Sequence, residues 1–201
     1  MKRIVVLAFA IIWFSGTEAQ TRSGSVKKFG IRLGTNYSLM NFNKGVPRPT
    51  ATVSNVWKPG VDIRALLNVK LTDRFFLQPE YALGILNGED ERFKTTYQLS
   101  YLSLPILLRI RPVERFSILL GPQFDLLIRA DEKQNGIKTN ITHDTEERNI
   151  SAVFGLEYII TPGFYVDARF INGFNHVGIG QRSNVKEFKW QSFATGVGLR
   201  F

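Results

Sequence analysis

The end of the chain alternates strictly between two kinds of side chain. One set is mostly large and apolar and comprises Phe193, Thr195, Val197, Leu199 and Phe201. The other is small or polar and comprises Ala194, Gly196, Gly198 and Arg200. Side chains on a β-strand point alternately to opposite faces, so this segment is predicted to be a strand with one apolar face. The pattern continues to the last residue, which favours a closed barrel whose last strand pairs with its first and leaves no open edge.

The start of the chain has the pattern of an export signal. Lys2 and Arg3 precede an apolar run over residues 4–14, and small residues follow up to Ala19. This order predicts a signal peptide over residues 1–19 and a barrel domain over residues 20–201. The alternative is a membrane-anchor helix, but the run is shorter than the ~20 apolar residues that span a bilayer.

Composition excludes several classes of function. The chain contains no cysteine, which excludes a lipoprotein, a disulfide framework and a thiolate metal site. The net charge of +9 comes from scattered basic residues, so we expect no nucleic-acid binding. Positive charge on an exported chain suits anionic lipid headgroups or polysaccharide. The 16 phenylalanines are consistent with the aromatic girdles of membrane barrels.

The alternation of apolar with small or polar residues recurs in eight segments of the chain. The predicted strands span residues 28–39, 60–71, 75–86, 96–110, 116–128, 150–160, 163–174 and 188–201. Their connections alternate between long and short, as in membrane barrels with short periplasmic turns and longer extracellular loops. The sequence therefore predicts an all-β fold, an eight-stranded antiparallel transmembrane β-barrel with both termini periplasmic. In the last strand Phe188 and Trp190 are out of phase with Phe193, which predicts a bulge or an extension beyond the membrane.

The second face of these strands is charged. A soluble lipocalin-like barrel would turn its apolar face inward to a ligand, whereas here the charged face suits an enclosed polar interior with lipid outside. The predicted lumen charge network comprises Arg32, Asp62, Arg64, Lys70, Glu80, Arg109, Asp125, Glu157, Asp167 and Arg169. Unpaired buried charge is costly, so these groups should pair. Since eight strands leave an interior that side chains just fill, we favour a filled lumen over a selective pore.

Three segments carry a family resemblance. Residues 101–109, Tyr-Leu-Ser-Leu-Pro-Ile-Leu-Leu-Arg, resemble the Tyr-Leu-x-Ile-Pro-Leu-Leu-Leu-Lys strand of the PorT-like outer-membrane β-barrel family of Bacteroidota. Residues 166–175 resemble that family's penultimate strand, and residues 30–34 its first. Ser103 and Arg109 depart from the common acidic residue and lysine. The resemblance implies an outer-membrane barrel, and the family's namesake belongs to a protein-secretion apparatus.

The terminal strand also resembles an assembly signal. Its last outward residues, Val197, Leu199 and Phe201, are similar to the aromatic-ended signal that the bacterial barrel-assembly machinery reads. We therefore expect this machinery to be a partner during biogenesis, and outer-membrane lipid to surround the mature barrel.

Candidate sites for chemistry are few. His143 and His176 both lie in predicted loops, and His143 with Asp144, Glu146 and Glu147 is at most a weak cation site. A solvated loop is the preferred interpretation of this segment. The predicted arrangement of the loops brings no serine, histidine and aspartate together as a catalytic set, so we expect no enzyme, no cofactor and no metal.

The functional prediction is a structural or interaction barrel of the cell outer membrane. Any protein partner would dock on the longest loops, residues 44–58 and 129–148. The alternatives are an accessory subunit of a secretion or assembly complex, as the family resemblance implies, and a narrow diffusion channel.

Overall fold

The structure is a computed structural model. It describes residues 28–45, 52, 54–91, 93–180 and 186–201. The predicted signal peptide over residues 1–19 lies outside the described residues and stays a prediction.

One antiparallel sheet of eleven strands accounts for most of the described residues. The strands are β1 (Phe29–Asn41), β2 (Lys58–Leu67), β3 (Val69–Lys70), β4 (Phe75–Asp90), β5 (Thr95–Val113), β6 (Phe116–Gln134), β7 (Ile137–Asn140), β8 (Arg148–Thr161), β9 (Phe164–Gly173), β10 (Val177–Ile179) and β11 (Lys186–Arg200). Two short 3₁₀ turns cover Phe42–Lys44 and Thr142–Asp144. No helix among the described residues is long and apolar enough to cross a membrane.

Eight of the strands form the wall of a closed barrel. They follow the order β1-β2-β4-β5-β6-β8-β9-β11, and β3 continues β2 alongside β4. The sheet closes because β11 pairs antiparallel with β1, from Gly30 opposite Arg200 to Asn41 opposite Lys189. Beyond the Gly30–Arg200 pair, the Phe201 amide donates to the Phe29 carbonyl at 2.9 Å. The predicted eight-stranded antiparallel barrel is confirmed.

Apolar side chains cover the outside of the wall. They include Ile31, Leu33, Val61, Ile63, Leu83, Ile106, Phe124, Phe154, Leu156 and Leu199, all exposed. On β1 this belt begins at Phe29 and ends at Tyr37, so it covers about 26 Å of strand at ~3.3 Å per residue. With the usual barrel tilt this becomes roughly 20 Å, close to the apolar band of outer-membrane barrels.

The two ends of the barrel differ. Short turns at residues 71–74, 114–115 and 162–163 close one end. At the other end the chain between the belt segments is longer, although β4 ends only four residues before β5, at Asp90. At the second end β4, β5 and β6 project beyond the belt, where Thr95 pairs with both Asp90 and Gln134. We refer to these as the periplasmic and extracellular ends, following the usual arrangement of such barrels.

The predicted extracellular loop 129–148 is wrong for much of its length. Its first part continues β6 to Gln134, and β7 folds back on it across the turn at Asn135 and Gly136. Both turn residues have positive φ, +51° and +83°, which suits the tight turns that match strand twist. The sequence missed this hairpin because its strands leave the membrane and no longer alternate between apolar and polar residues.

The predicted bulge in the last strand is also wrong. The pairing of β11 with β1 has no register shift. Phe188 and Trp190 are buried and lie in phase with the inward residues Ser192 and Ala194. The other alternative, an extension past the belt, fits this strand, because the interior changes from polar to apolar at this height.

Bulges occur elsewhere in the wall. Ser100 of β5 lies opposite Arg129, whereas Tyr101 lies opposite Leu127, so Ile128 is an extra residue in β6. A bulge shifts the phase of the strand that carries it. Ala130 therefore points into the barrel, although Ile128, two residues earlier, points outward.

Candidate functional site in the barrel interior

Six side chains of alternating charge form a closed ring inside the periplasmic half of the barrel. We call this set, Arg32, Asp62, Arg64, Glu80, Arg169 and Asp167, the charge ring. Each carboxylate in it contacts two guanidinium groups, and each guanidinium contacts two carboxylates. The ring is neutral and joins β1, β2, β4 and β9 across the lumen.

Arg32 makes more hydrogen bonds than either of the other two arginines of the ring. Its Nε donates to Asp167 at 2.7 and 2.9 Å, its Nη2 to Asp167 at 2.7 Å, and its Nη1 to Asp62 at 2.6 Å. On the far side, Arg169 Nη1 donates to Glu80 at 2.7 Å. Bidentate contacts of this kind are among the strongest hydrogen bonds available to an arginine.

Glycines give the Arg32 guanidinium the room it needs. A Cβ atom at Gly34 would collide with the guanidinium from its own strand. One at Gly196 would lie 2.5 Å from Arg32 Cζ and 2.6 Å from the Leu33 carbonyl oxygen. The small inward face of β1 and β11 therefore lets a large charged group lie flat against the wall.

A smaller cluster lies beside the ring. Arg109 Nε donates to Glu157 at 3.1 Å, and Arg200 Nη1 donates to the same carboxylate at 2.8 Å. Gln78 links this cluster to the ring, since it accepts from Arg200 at 3.2 Å and donates to Glu80 at 2.7 Å. The cluster adds β5, β8 and β11 to the strands that are cross-linked through the lumen.

Asp125 lies outside both groups of ion pairs. Its carboxylate accepts hydrogen bonds from Gln123 at 2.7 Å, Asn149 at 2.8 Å and Ser151 at 3.2 Å. Its surroundings are therefore neutral amides and hydroxyls, and it occupies β6, a strand that neither the ring nor the smaller cluster reaches.

The sequence placed one residue wrongly and missed another. Lys70 is the last residue of β3 and is exposed at the periplasmic end, because the strand has left the lumen by that point. Its Nζ lies 2.7 Å from Asp73 in the following turn. Arg200 is buried in the smaller cluster. Its inward phase on the last strand was the available signal. The other predicted lumen charges are buried inside the barrel.

The extracellular half of the interior is largely apolar. The buried hydrophobic cluster there extends down to Leu107 and Leu119, at the level of Arg109. It comprises Met40, Phe42, Tyr97, Leu99, Tyr101, Leu107, Leu119, Ala130, Val153, Ile171, Val177, Ile179, Phe188 and Trp190. Phe42, from the turn after β1, packs against Phe188 with ring centroids 5.4 Å apart and against Tyr97 at 6.1 Å. We call this set the apolar cluster. It closes the lumen above the ion pairs, and the sequence did not predict it.

A small cavity lies where the polar and apolar halves meet. Its volume is about 20 Å³, and its lining includes Asp62, Arg64, Gln123, Trp190 and Ser192. A space of this size holds about one water molecule. It does not provide a path for solutes between the two halves.

The two histidines are not part of this interior. His143 lies in the exposed turn before β8. His176 contacts the Lys44 carbonyl oxygen through Nε2 at 2.8 Å and lies 3.9 Å from Glu187. Among the described residues, no group of three or more histidine, aspartate or glutamate side chains could hold a metal ion.

The residues of the proposed assembly signal lie on the outside of the wall. Val197, Leu199 and Phe201 are exposed and belong to the apolar belt near its periplasmic edge. Leu199 pairs with Ile31 of β1 and Phe164 of β9, so this segment is part of the seam that closes the barrel.

The charge ring predicts a strong effect of Arg169. Arg169→Ala should lower the free energy of unfolding by ~3–5 kcal/mol, because Glu80 and Asp167 each lose a buried partner. Arg169→Lys should lose less, since it keeps the charge but not the forked geometry. Urea-induced unfolding in lipid vesicles, followed by tryptophan fluorescence, measures both values.

Lys70→Ala is the matched control for this series. This variant also takes the cation away from an ion pair, but at an exposed strand end, so its free energy of unfolding should stay close to that of the wild type. Equal losses for Lys70→Ala and Arg169→Ala would contradict a stabilising role for the ring.

Comparisons with known proteins agree with this architecture. Residues 18–178 match the family model of the outer membrane protein beta-barrel domain. The chain is similar to the crystal structure of Neisserial surface protein A, with a TM-score of 0.58, 14% identity, and 86% of this chain and 97% of that chain covered.

A second similar structure is Ail, the attachment invasion locus protein of Yersinia pestis, in complex with the heparin analogue sucrose octasulfate. Its TM-score is 0.50 at 15% identity, with 88% of this chain and 100% of that chain covered. A comparison with curated proteins finds no match. At such identities the structures show the shared fold, and the family model shows the family. The chain belongs to the outer membrane protein beta-barrel domain family, and the protein is located in the outer membrane.

Proposed function

We propose that this protein is a non-enzymatic outer-membrane barrel with a filled lumen, whose role is structural or depends on contacts at its extracellular end. In this proposal it needs no cofactor and binds no nucleic acid.

The observation that carries the proposal is the filling of the lumen at two levels. The charge ring and the smaller cluster of Arg109, Glu157 and Arg200, here called the Glu157 cluster, occupy the periplasmic half. The apolar cluster fills most of the extracellular half. Phe76 is buried beneath the periplasmic turns, with the Arg111 guanidinium 4.9 Å from its ring. An interior of this kind supports a solid barrel rather than a narrow diffusion channel.

The solid interior predicts an electrically silent barrel. Refolded protein in planar lipid bilayers should give no sizeable single-channel conductance, because side chains fill the bore. Recordings should use preparations shown to be folded by their altered gel mobility before boiling. Steps like those of a large porin would reject this proposal in favour of the channel alternative.

The extracellular end offers a surface for a protein partner. The projecting parts of β4, β5 and β6 form a sheet with β7, and the side chains of Phe93 and Ile137 at its tip are 49% and 71% exposed. Gln134 donates to the Phe93 carbonyl at 3.4 Å, which places the two strand ends side by side. Large exposed apolar residues beyond the lipid belt support a role in protein contacts.

A second candidate is an accessory subunit of a protein secretion or assembly complex. The resemblance to the PorT-like family supports it, carried by residues 101–109 and 166–175. The first segment is the middle of β5 and includes Arg109 of the Glu157 cluster. The second segment contains Asp167 and Arg169 of the charge ring. The similar residues are thus mostly those that build the wall and its filling, which is why they do not discriminate between activities.

Affinity purification from native outer membrane distinguishes the two candidates. A tagged barrel should be solubilised in mild detergent and its companions identified by mass spectrometry. A stoichiometric partner lost in a Phe93→Ala/Ile137→Ala variant would favour the accessory role and locate the contact at the tip. Recovery of the barrel alone would favour a solitary structural protein.

We also propose that Val197, Leu199 and Phe201 form the signal that the barrel-assembly machinery reads. Deleting Phe201 removes one pair of backbone hydrogen bonds to Phe29 at the seam but leaves the rest of the β1–β11 ladder. The deletion should therefore block assembly in cells, yet allow purified chain to refold in detergent without the machinery.

In cells and in detergent alike, folding is measured as the difference in gel mobility between boiled and unboiled samples. Phe174→Ala removes an exposed aromatic side chain just past the extracellular end of β9; it serves as the control and should still assemble in cells. Normal insertion of the Phe201 deletion in cells would rule out the signal, and failure to refold in detergent would make the residue structural.

A further inference from the structure

The small cavity between the two halves of the lumen is surrounded by polar atoms that have no protein partner. Its volume is about 20 Å³. Five of the side chains that line it each carry a buried polar atom that makes no hydrogen bond to any described residue. These atoms are Asn36 Oδ1, Asp62 Oδ2, Gln123 Oε1, Trp190 Nε1 and Ser192 Oγ. We call this set the boundary site.

The boundary site is closed off from bulk solvent. All five side chains are exposed by 7% or less. Buried polar groups in proteins almost always have a hydrogen-bond partner, which is either another protein group or an ordered water molecule. Five unpaired atoms around one space therefore point to one shared partner within that space.

Asp62 is the most demanding member of the boundary site. Its Oδ1 accepts hydrogen bonds from Arg32 at 2.6 Å and from Arg64 at 2.5 Å, whereas its Oδ2 receives none from the described residues. The other carboxylates of the charge ring, Glu80 and Asp167, accept hydrogen bonds through both of their oxygen atoms. A buried charged oxygen without a donor is more costly than a neutral one, so Asp62 Oδ2 requires a donor.

The two amide side chains are oriented by their nitrogen atoms. Gln123 Nε2 donates to Asp125 at 2.7 Å, and Asn36 Nδ2 donates to the Ile85 carbonyl oxygen at 3.2 Å. Each amide thus leaves its oxygen atom to the boundary site as an acceptor. The indole nitrogen of Trp190 is a donor only, and the hydroxyl of Ser192 both donates and accepts.

A water molecule matches this combination of donors and acceptors. A buried water makes about three hydrogen bonds to otherwise unpaired groups, and the cavity has room for about one such molecule. A metal cation would fit the oxygen atoms, but the Trp190 N–H group and the Arg64 guanidinium on the same lining oppose it. An apolar ligand would leave all five atoms unpaired.

We propose that the boundary site binds one water molecule, which accepts hydrogen bonds from Trp190 and Ser192 and donates to Asp62 and Gln123. This water cross-links β2, β6 and β11 at the height where the ion pairs end. It joins the charge ring, through Asp62, to the apolar cluster, through Trp190. Through Gln123 it also reaches the hydrogen bonds around Asp125.

Two buried serines provide a matched pair of variants. Ser192 and Ser117 are both 0% exposed, and neither hydroxyl has a partner among the described residues. Ser192 lines the cavity, whereas Ser117 lies opposite Glu157 and is not part of the lining. Removing an unpaired hydroxyl is neutral or stabilising, and removing one that contacts water costs a hydrogen bond.

Urea-induced unfolding in lipid vesicles measures the difference between these variants. Ser192→Ala should lower the ratio of folded to unfolded protein by roughly fivefold, the size of one ordinary hydrogen bond. Ser117→Ala should leave this ratio unchanged or raise it.

Gly84 tests the content of the cavity by the sign of the effect. It lines the cavity and lies opposite Asp62. A Cβ atom at Gly84 would lie 3.4 Å from Asp62 Cβ and 3.7 Å from the Val61 carbonyl oxygen, which are ordinary contacts. In a dry cavity Gly84→Ala would therefore be stabilising, because the methyl group fills space and restricts the unfolded chain. We expect it instead to lower the folded-to-unfolded ratio about tenfold, because the methyl group displaces the water.

Nuclear magnetic resonance detects the water directly. The refolded barrel, with ¹⁵N-labelled tryptophan and in detergent micelles, should show a nuclear Overhauser effect between water and the Trp190 indole proton. This signal should persist in Ser117→Ala and disappear in Gly84→Ala. The indole of Trp57, which lies on the outside of the wall, is the internal reference and should not change. The wild-type spectrum and the serine pair test the proposal even if Gly84→Ala does not refold.

Four results would overturn the proposal. A Trp190 indole without the water signal in the wild type would mean a dry cavity, and so would a more stable Gly84→Ala. Equal effects of the two serine variants would mean that Ser192 contacts no water. Stabilisation by sodium chloride, but not by choline chloride at the same ionic strength, would mean that the site holds a sodium ion.

Discussion

The hydrogen-bonded seam between β1 and β11 is the constraint on which the rest of the structure depends. In hydrocarbon, every backbone N–H and C=O group needs a partner, so the sheet has to close on itself. Closing with eight strands leaves a bore of side-chain width. The inward face must therefore fill that bore, and it must do so with residues that alternate with the lipid-facing ones.

The two halves of the lumen are filled by different kinds of side chain. Within the periplasmic half, arginine and carboxylate side chains span the bore and pair with each other, and glycines on β1 and β11 keep the space that Arg32 needs. In the extracellular half, aromatic and aliphatic side chains pack as in a soluble core, with Phe42 among them. The barrel thus combines an ion-pair core with a conventional hydrophobic core, placed end to end inside one wall.

The sequence predicted those parts of the fold where lipid imposes a strict pattern. Alternation along the strands gave the number of wall strands and their order, because outward residues there have to be apolar. Beyond the belt that requirement ends, and the strand prediction fails there. The β6–β7 hairpin was missed because it carries polar residues on its outward face. Phe188 and Trp190 were misread because they point inward. The phase of β11 is unchanged there, whereas the bulge at Ile128 shifts the phase of β6; on both strands the outward face now meets water instead of lipid.

The interior charges show a similar limit. Phase alone places Arg32, Asp62 or Arg169 inside, but it does not say which cation meets which carboxylate, since the partners come from distant strands. Lys70 and Arg200 show why strand ends are difficult. Each lies at the periplasmic end of its strand, and only the three-dimensional height of that end decides whether the side chain reaches the lumen or the solvent.

The sequence separations within the charge ring bear on the order in which the chain folds. Arg32 and Asp167 are 135 residues apart, and Glu80 and Arg169 are 89 apart. A sheet that lacks β9 holds Arg32, Arg64, Asp62 and Glu80 in an open row, without the two groups that complete the ring. In such a half-built sheet Arg32 and Glu80, at the two ends of the row, would each lack one of their two partners, and incompletely paired charge is costly near the bilayer. The last strands to be synthesised therefore complete the pairing of charges on the earlier ones, and every group of the ring has both its partners only in the finished cylinder.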